Sequence, residues 1–259
     1  MPGKHERHRR NRGAAVRDPR PAYAAQAVPY AEVRPLKRPR RIQPDAFQRR
    51  ALAAALNGRD VLVVAPTGAG KTWVAEQVAG YALERGVRLI YASPIKALSN
   101  QKYREFAARF GPDNAGILTG DVGINAGAPI LVVTTEIFRN QCLESPEDLT
   151  AVRWAVLDEF HLLDSERGAA WEEAVIFAPP YIRLLCLSAT VPNYEEVAGW
   201  IAYARGSEVE VVVEHRRPVP LAWYWFLDGR VLSGEPAARL LRDLAQEAAG
   251  HKRRRAAFR

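Results

Sequence analysis

The stretch Val61-Leu62-Val63-Val64-Ala65-Pro66-Thr67-Gly68-Ala69-Gly70-Lys71-Thr72 decides how this chain is read. Four apolar, mostly β-branched residues predict a buried strand. A loop with two glycines follows, and Lys71-Thr72 opens a segment that reads as helix to Glu84. Strand, glycine-containing loop, then Lys-Thr at a helix start is the context of a phosphate-binding loop. Backbone N–H groups of such a loop and of the helix N-terminus converge on phosphate oxygens. Pro66, Thr67, Gly68, Ala69 and Gly70 would form the cradle. Lys71 would reach the β and γ phosphates, and the Thr72 hydroxyl would ligate magnesium. The general pattern begins with Gly where this chain has Ala65. An ordinary strand–turn–helix corner is the alternative.

Outward from this loop, short β-rich runs alternate with longer helical stretches. The strands expected are Val61–Ala65, Arg88–Ser93, Gly116–Thr119, Ile130–Thr134, Trp154–Asp158 and Leu184–Ser188. Helices are expected near Ala46–Leu56, Thr72–Glu84, Ile95–Phe110, Glu136–Gln141, Ala170–Ile176 and Tyr194–Tyr203. This alternation predicts an α/β fold, a parallel sheet with helices on both faces. Runs such as Trp154-Ala155-Val156-Leu157 fit strands buried on both sides. After about Glu208 the pattern changes to two further strands, Val209–Val213 and Pro220–Leu227, and a helix over 235–249. The aromatic run Trp223-Tyr224-Trp225-Phe226 reads as strand packing, with base stacking as the alternative.

The formal charge is +8, but it is unevenly placed. Residues 1–41 hold 12 Lys/Arg against 3 Asp/Glu, and 251–259 add five more basic residues. The span between them is net acidic. Basic tails attract polyanions such as RNA or DNA through counterion release; a solvated extension without a specific partner is the alternative. Composition divides the chain into a basic disordered tail (1–40), a nucleotide-binding domain (41–207), and a strand pair, helix and basic tail (208–259). The two cysteines, Cys142 and Cys186, lack metal-ligand spacing and read as reduced core residues. No apolar run of ~18 residues suggests a membrane span, so a cytoplasmic protein is expected.

Asp158-Glu159-Phe160-His161 follows the strand at Trp154. A carboxylate at a strand end can hold magnesium opposite the loop carrying Lys71, and Asp158 fits that role. Glu159 would then accept a proton from the attacking water. Ser188-Ala189-Thr190 ends the next strong strand, where hydroxyls could bond to His161 or to the acidic pair.

Phosphate loop, Asp-Glu-x-His and Ser-Ala-Thr in this order resemble the DExH helicases of superfamily two. Longer blocks narrow the resemblance. The run from Ser93 to Glu105, SPIKALSNQKYRE, is very similar to the first nucleic-acid-contacting motif of the Ski/Mtr-type RNA helicases. Leu118-Thr119-Gly120-Asp121, Thr134-Thr135-Glu136-Ile137, DSERGAAWEE from Asp164, LSATVP from Leu187 and Arg216-Arg217-Pro218-Val219-Pro220-Leu221 match further blocks. The chain differs from the family in carrying Phe160 where Val or Ile is usual, and Ile42 where an adenine-stacking aromatic often stands.

The resemblance implies a RecA-like fold, ATP and Mg²⁺ as ligands, and 3′-to-5′ translocation on RNA driven by ATP hydrolysis. It places Phe47 and Gln48 by the adenine, with Gln48 reading its edge. Lys71, Asp158, Glu159 and His161 become the catalytic set, with Thr72 and Asp158 on the metal. His161, Ser188 and Thr190 couple hydrolysis to movement. Pro94, Lys96, Asn100, Gln101, Thr119, Gly120, Thr134, Thr135 and Glu136 line the RNA backbone path. Backbone contact grips without sequence preference, as a motor requires. A second RecA-like domain, in cis or trans, is the implied partner that supplies arginine fingers. No such pattern follows Leu221, so this chain alone is expected to bind ATP and hydrolyse it slowly. A DNA helicase of the related repair branch and a non-catalytic RNA-binding remnant are the competing readings.

Overall fold

The computed structural model describes residues 43–165, 168–220, 224–227, 230–233 and 242. They fall into two units, one spanning Ile42–Pro220 and one containing the segment from Leu221. The first holds six helices among its described residues: α1 (Ala46–Leu56), α2 (Lys71–Glu84), α3 (Lys96–Phe110), α4 (Thr135–Glu144), α5 (Ala169–Phe177) and α6 (Tyr194–Arg205). Its strands are β1 (Asp60–Val64), β2 (Arg88–Ser93), β3 (Ala115–Leu118), β4 (Gly123–Ile124), β5 (Ile130–Thr134), β6 (Val152–Leu157), β7 (Arg183–Ser188) and β8 (Val209–Val213).

The eight strands form one sheet in the order β4-β3-β5-β2-β6-β7-β1-β8. Every pairing is parallel except β3 with β4. Alternation along the strands divides the core in two. Val61, Val63, Leu89, Tyr91, Val132, Val156 and Leu187 face the layer of α1, α2 and α3. Leu62, Val64, Ile90, Ala92, Leu131, Leu157 and Cys186 face α4, α5 and α6. Both faces are covered, which is why the central strands are apolar on both sides through most of their length.

The sequence missed β4 because a two-residue antiparallel edge strand has no periodicity to detect. It is held by a tight turn in which Thr119 N–H donates to the Val122 carbonyl at 2.8 Å. β8 was read as part of a separate segment; it pairs with β1 along its whole length, from Asp60↔Val209 to Val64↔Val213. In the second unit, β9 (Tyr224–Leu227) and β10 (Arg230–Ser233) form an antiparallel hairpin. Tyr224 and Phe226 are 63% and 70% exposed, so these two rings are not packed within the hairpin. The expected tail at 1–40, most of the expected helix at 235–249, Ile42 and Trp223 lie outside the described residues.

At the N-terminal end of β1, Asp60 is fully buried. Its Oδ1 accepts the Leu184 N–H at 2.8 Å. Its Oδ2 accepts from Ser207 Oγ at 2.9 Å and Arg205 Nε at 3.4 Å. Arg205 spends three further donors on the carbonyls of Ala178, Pro179 and Ile182. This network ties α6 and the β7 entry to β1. Replacing Asp60 by Ala leaves a guanidinium buried without its counter-charge. Urea denaturation should show a loss of about 3–5 kcal/mol. Burial pushes the Cys142 thiol up to about 12 and Cys186 further still, Asp60 adding to the latter. Both thiols should resist alkylation at neutral pH in the folded chain and react once it is unfolded in urea; rapid native modification would contradict the packing.

Candidate active site and nucleic-acid groove

In a parallel sheet with buried faces, polar chemistry collects beyond the carboxyl ends of the strands. Here the strand order sorts it into two neighbouring clusters. The loop after β1 and the acidic motif after β6 flank the tip of β7, which carries Ser188. The tips of β2, β5 and β3 lie on the other side of β6.

The loop after β1 turns through an Ala69 N–H bond to the Pro66 carbonyl at 3.1 Å. Gly68 and Gly70 have φ of 84° and 88°, the left-handed region where a side chain is strained. Lys71 reaches back across the loop and donates to the carbonyls of Ala65 at 2.8 Å and Pro66 at 3.3 Å. Burial lowers the pKa of its ammonium, and the carboxylates of Glu159 and Asp158 pull it part of the way back. Lys71 therefore already feels the acidic pair across the β7 tip. Thr72 stands in the first turn of α2.

Gln48 is nearly buried and spends its amide on this loop. Its Nε2 donates to the Gly70 carbonyl at 2.9 Å, and its Oε1 accepts the Asp45 N–H at 2.8 Å, closing a capping box at the start of α1. The atoms expected to read adenine are thus engaged in bracing the loop. Phe47, expected beside adenine, is buried in the core under α1. The sequence did not reveal these contacts with the loop and the core.

Asp158 extends β6, its N–H bonding to the Ala92 carbonyl of β2 at 2.9 Å. Its Oδ1 accepts the Glu159 N–H at 2.9 Å, and its Oδ2 accepts the Tyr91 hydroxyl at 2.5 Å. Glu159 has φ of 51°, a left-handed conformation that is uncommon without glycine. Such strain collects at working sites; here it turns the chain sharply off β6. Phe160 is buried in the core, which accounts for an aromatic in that place. His161 Nδ1 lies 3.4 Å from Glu159 Oε2 and also 3.4 Å from the Ala189 N–H. One nitrogen can accept from Ala189 or, protonated, face Glu159; it cannot do both. Ala65 N–H bonds to the Ser188 carbonyl at 3.2 Å, so the Ser-Ala-Thr segment touches loop and acidic motif alike. Ser188 Oγ turns to the Ala189 carbonyl at 2.9 Å, and Thr190 is exposed.

A groove of about 540 Å³ is lined by Pro94, Ile95, Lys96, Gly120, Thr134, Glu136 and Ile137. Five of the expected nucleic-acid residues meet here: Pro94, Lys96, Gly120, Thr134 and Glu136. Four do not line it. Thr119 and Thr135 are buried behind it. Asn100 bonds to the Lys96 carbonyl at 3.0 Å and Gln101 to Glu105 at 2.8 Å, both along α3. The N-termini of α3 and α4 open at the groove, and neither Ile95 nor Thr134 gives a side-chain cap. Uncapped first-turn N–H groups form a ready anion site. Lys96 pairs with the exposed Asp121 at the rim. Such an exposed pair is worth at most about 1 kcal/mol, so a phosphate can displace the carboxylate.

Tyr91 escaped sequence reasoning. The signal was present: a tyrosine at an inward position of a strand with no exposed residue needs a partner for its hydroxyl.

The DEAD/DEAH box helicase family matches residues 45–197. Among curated relatives, the chain is 50% identical over 188 residues to the DExH-box ATP-dependent RNA helicase DExH15, chloroplastic, of Arabidopsis thaliana, covering 70% of this chain and 16% of that protein. It is 45% identical over 186 residues to the exosome RNA helicase MTR4 of Homo sapiens, covering 71% and 18%. It therefore spans less than a fifth of these relatives' lengths. Among solved structures, Mycobacterium smegmatis helicase Lhr bound to ssDNA and AMP-PNP superposes with a TM-score of 0.53 at 27% identity, covering 67% of this chain and 26% of that one. The Pyrococcus furiosus Hef helicase domain does so at 0.53 and 25%, covering 67% and 39%. The sheet order, the phosphate loop and the family match agree: this chain belongs to the DEAD/DEAH box helicases, and its fold is their RecA-like domain.

Proposed function

We propose that this chain is the ATP-binding first motor domain of a 3′-to-5′ RNA helicase of the Ski/Mtr type, acting in the cytoplasm. One observation carries the reading. The phosphate loop and acidic pair lie at the same end of the sheet as a groove with two open helix N-termini, and β6, which leads into the acidic pair, is the direct neighbour of β2, which leads into the groove. A nucleotide and a phosphodiester backbone can thus be held side by side. RNA is favoured over DNA because two of the relatives, DExH15 at 50% and MTR4 at 45% identity, carry RNA helicase names. Strand choice depends on contacts to the 2′-hydroxyl, so a DNA helicase of the repair branch stays the second reading.

On this reading Lys71 exchanges the Ala65 and Pro66 carbonyls for β- and γ-phosphate oxygens. Glu159 accepts a proton from the attacking water as its oxygen bonds to the γ-phosphorus and ADP leaves. His161 shifts between Ala189 and Glu159 and so reports the nucleotide state to the Ser188–Thr190 segment. The Thr72 hydroxyl and Asp158 carboxylate are hard oxygen donors that suit Mg²⁺. No cluster of three or more His, Cys, Asp or Glu fit to hold a metal occurs among the described residues. Magnesium is usually held by one or two carboxylates plus substrate phosphates. The bound ion would neutralise charge on the phosphates. A second RecA-like domain would supply an arginine finger.

Lys71→Ala should weaken binding of a fluorescent ATP analogue. Glu159→Gln should keep that binding and lower the chain's residual hydrolysis about 10²–10⁴-fold. Unchanged activity in either would overturn the assignments. A Cβ at Gly70 would sit 2.7 Å from Gln48 Nε2 at a φ of 88°. Gly70→Ala should therefore lower nucleotide affinity, read by the same fluorescence. Lys96→Ala should weaken single-stranded RNA binding uniformly across sequences. The slope of log affinity against log salt should fall by about 1.

A further inference from the structure

Asp158 is the carboxylate proposed to face magnesium, yet it is only 9% exposed and carries charge into the sheet. A buried carboxylate needs donors. One comes from its own neighbour, the Glu159 N–H. The other comes from Tyr91, one strand away on β2 and 67 positions earlier in the chain. Tyr91 is fully buried. Its ring meets Phe106 of α3 edge-on, with centroids 5.4 Å apart and planes at 70°. The register pairs Tyr91 with Val156 and Ala92 with Leu157, so the tyrosine lies just below the strand end that bears Asp158. The phenol is thus confined by packing on one side and by the carboxylate on the other.

We propose that Tyr91 is a positioning residue for the metal site: its hydroxyl fixes the orientation of the Asp158 carboxylate, and Phe106 holds the phenol in place. The proposal rests on the nucleotide-site reading above. The phenol hydroxyl is the donor of this hydrogen bond and the Asp158 carboxylate oxygen its acceptor. The hydrogen bond satisfies one oxygen without protonating it. The carboxylate then keeps its orientation. Partners of this kind, one step behind a metal ligand, typically set affinity by 10–100-fold. The helix whose Phe106 braces the ring is the one whose first turn opens on the groove. Tyr91 is therefore a packed side chain lying between the two clusters.

The test is a Mg²⁺ titration of fluorescent ATP-analogue binding to the 259-residue chain, with EDTA as the metal-free limit. In Tyr91→Phe, affinity in EDTA should match the parent chain, while the Mg²⁺ concentration giving half the metal-dependent gain should rise about 10-fold. In Asp158→Asn that gain should already be small, and adding Tyr91→Phe should change nothing further, the signature of two groups acting as one. The double variant also removes the buried charge, so it stays informative if Tyr91→Phe alone folds poorly. An unchanged Mg²⁺ midpoint in Tyr91→Phe would overturn the proposal, as would equal weakening with and without metal. A parent chain whose nucleotide binding ignores Mg²⁺ would refute the nucleotide-site reading itself, and with it this inference.

Discussion

Backbone polar groups and apolar side chains place opposite demands on a sheet covered on both faces. The middle of β1, β2, β5, β6 and β7 is buried and predominantly apolar. No charge can be accommodated midway along these strands without a partner. Charged and hydroxyl groups are therefore expelled to the ends. At the amino ends this produces the Asp60–Arg205 network, which is structural. At the carboxyl ends it produces Lys71, Asp158, Glu159 and the groove.

The strand order then decides which groups become neighbours. Placing β7 between β1 and β6 inserts Ser188 and Ala189 between the phosphate loop and the acidic motif. Both sides bond to that segment, through Ala65 and through His161. Placing β2 beside β6 lets the Ala92 carbonyl and the Tyr91 hydroxyl meet Asp158. The same β2 runs on into Pro94 and the uncapped start of α3. A change on the groove side thus has a packed route, Phe106 and Tyr91, to the acidic motif. The left-handed conformation of Glu159 takes the chain abruptly off β6 instead of continuing the strand.

Much of this was legible beforehand. Val61–Thr72 announced strand, loop and helix because glycine at positive φ and Lys-Thr at a helix start have few other uses. The long strands were readable because burial on both faces demands continuous apolar runs. Ser93–Glu105 and Asp158–His161 were readable through resemblance, since each motif is contiguous. The contacts of Gln48 with Gly70 and of Phe47 with the core depend on helix packing and were not legible. Asn100 and Gln101 belonged to a recognisable block, yet local bonds along α3 hold them away from the groove lining.

What the linear chain determined by itself was therefore local: which segments become strands, where the phosphate loop sits, and which carboxylates follow β6. Those features depend on neighbours within a few residues, so the chain spells them out. The tertiary structure alone decided that β8 completes the sheet beside β1, that Asp60 is neutralised by Arg205, and that Tyr91 donates to Asp158. Each of these joins residues dozens to more than a hundred positions apart, through strand order and burial that no short stretch encodes.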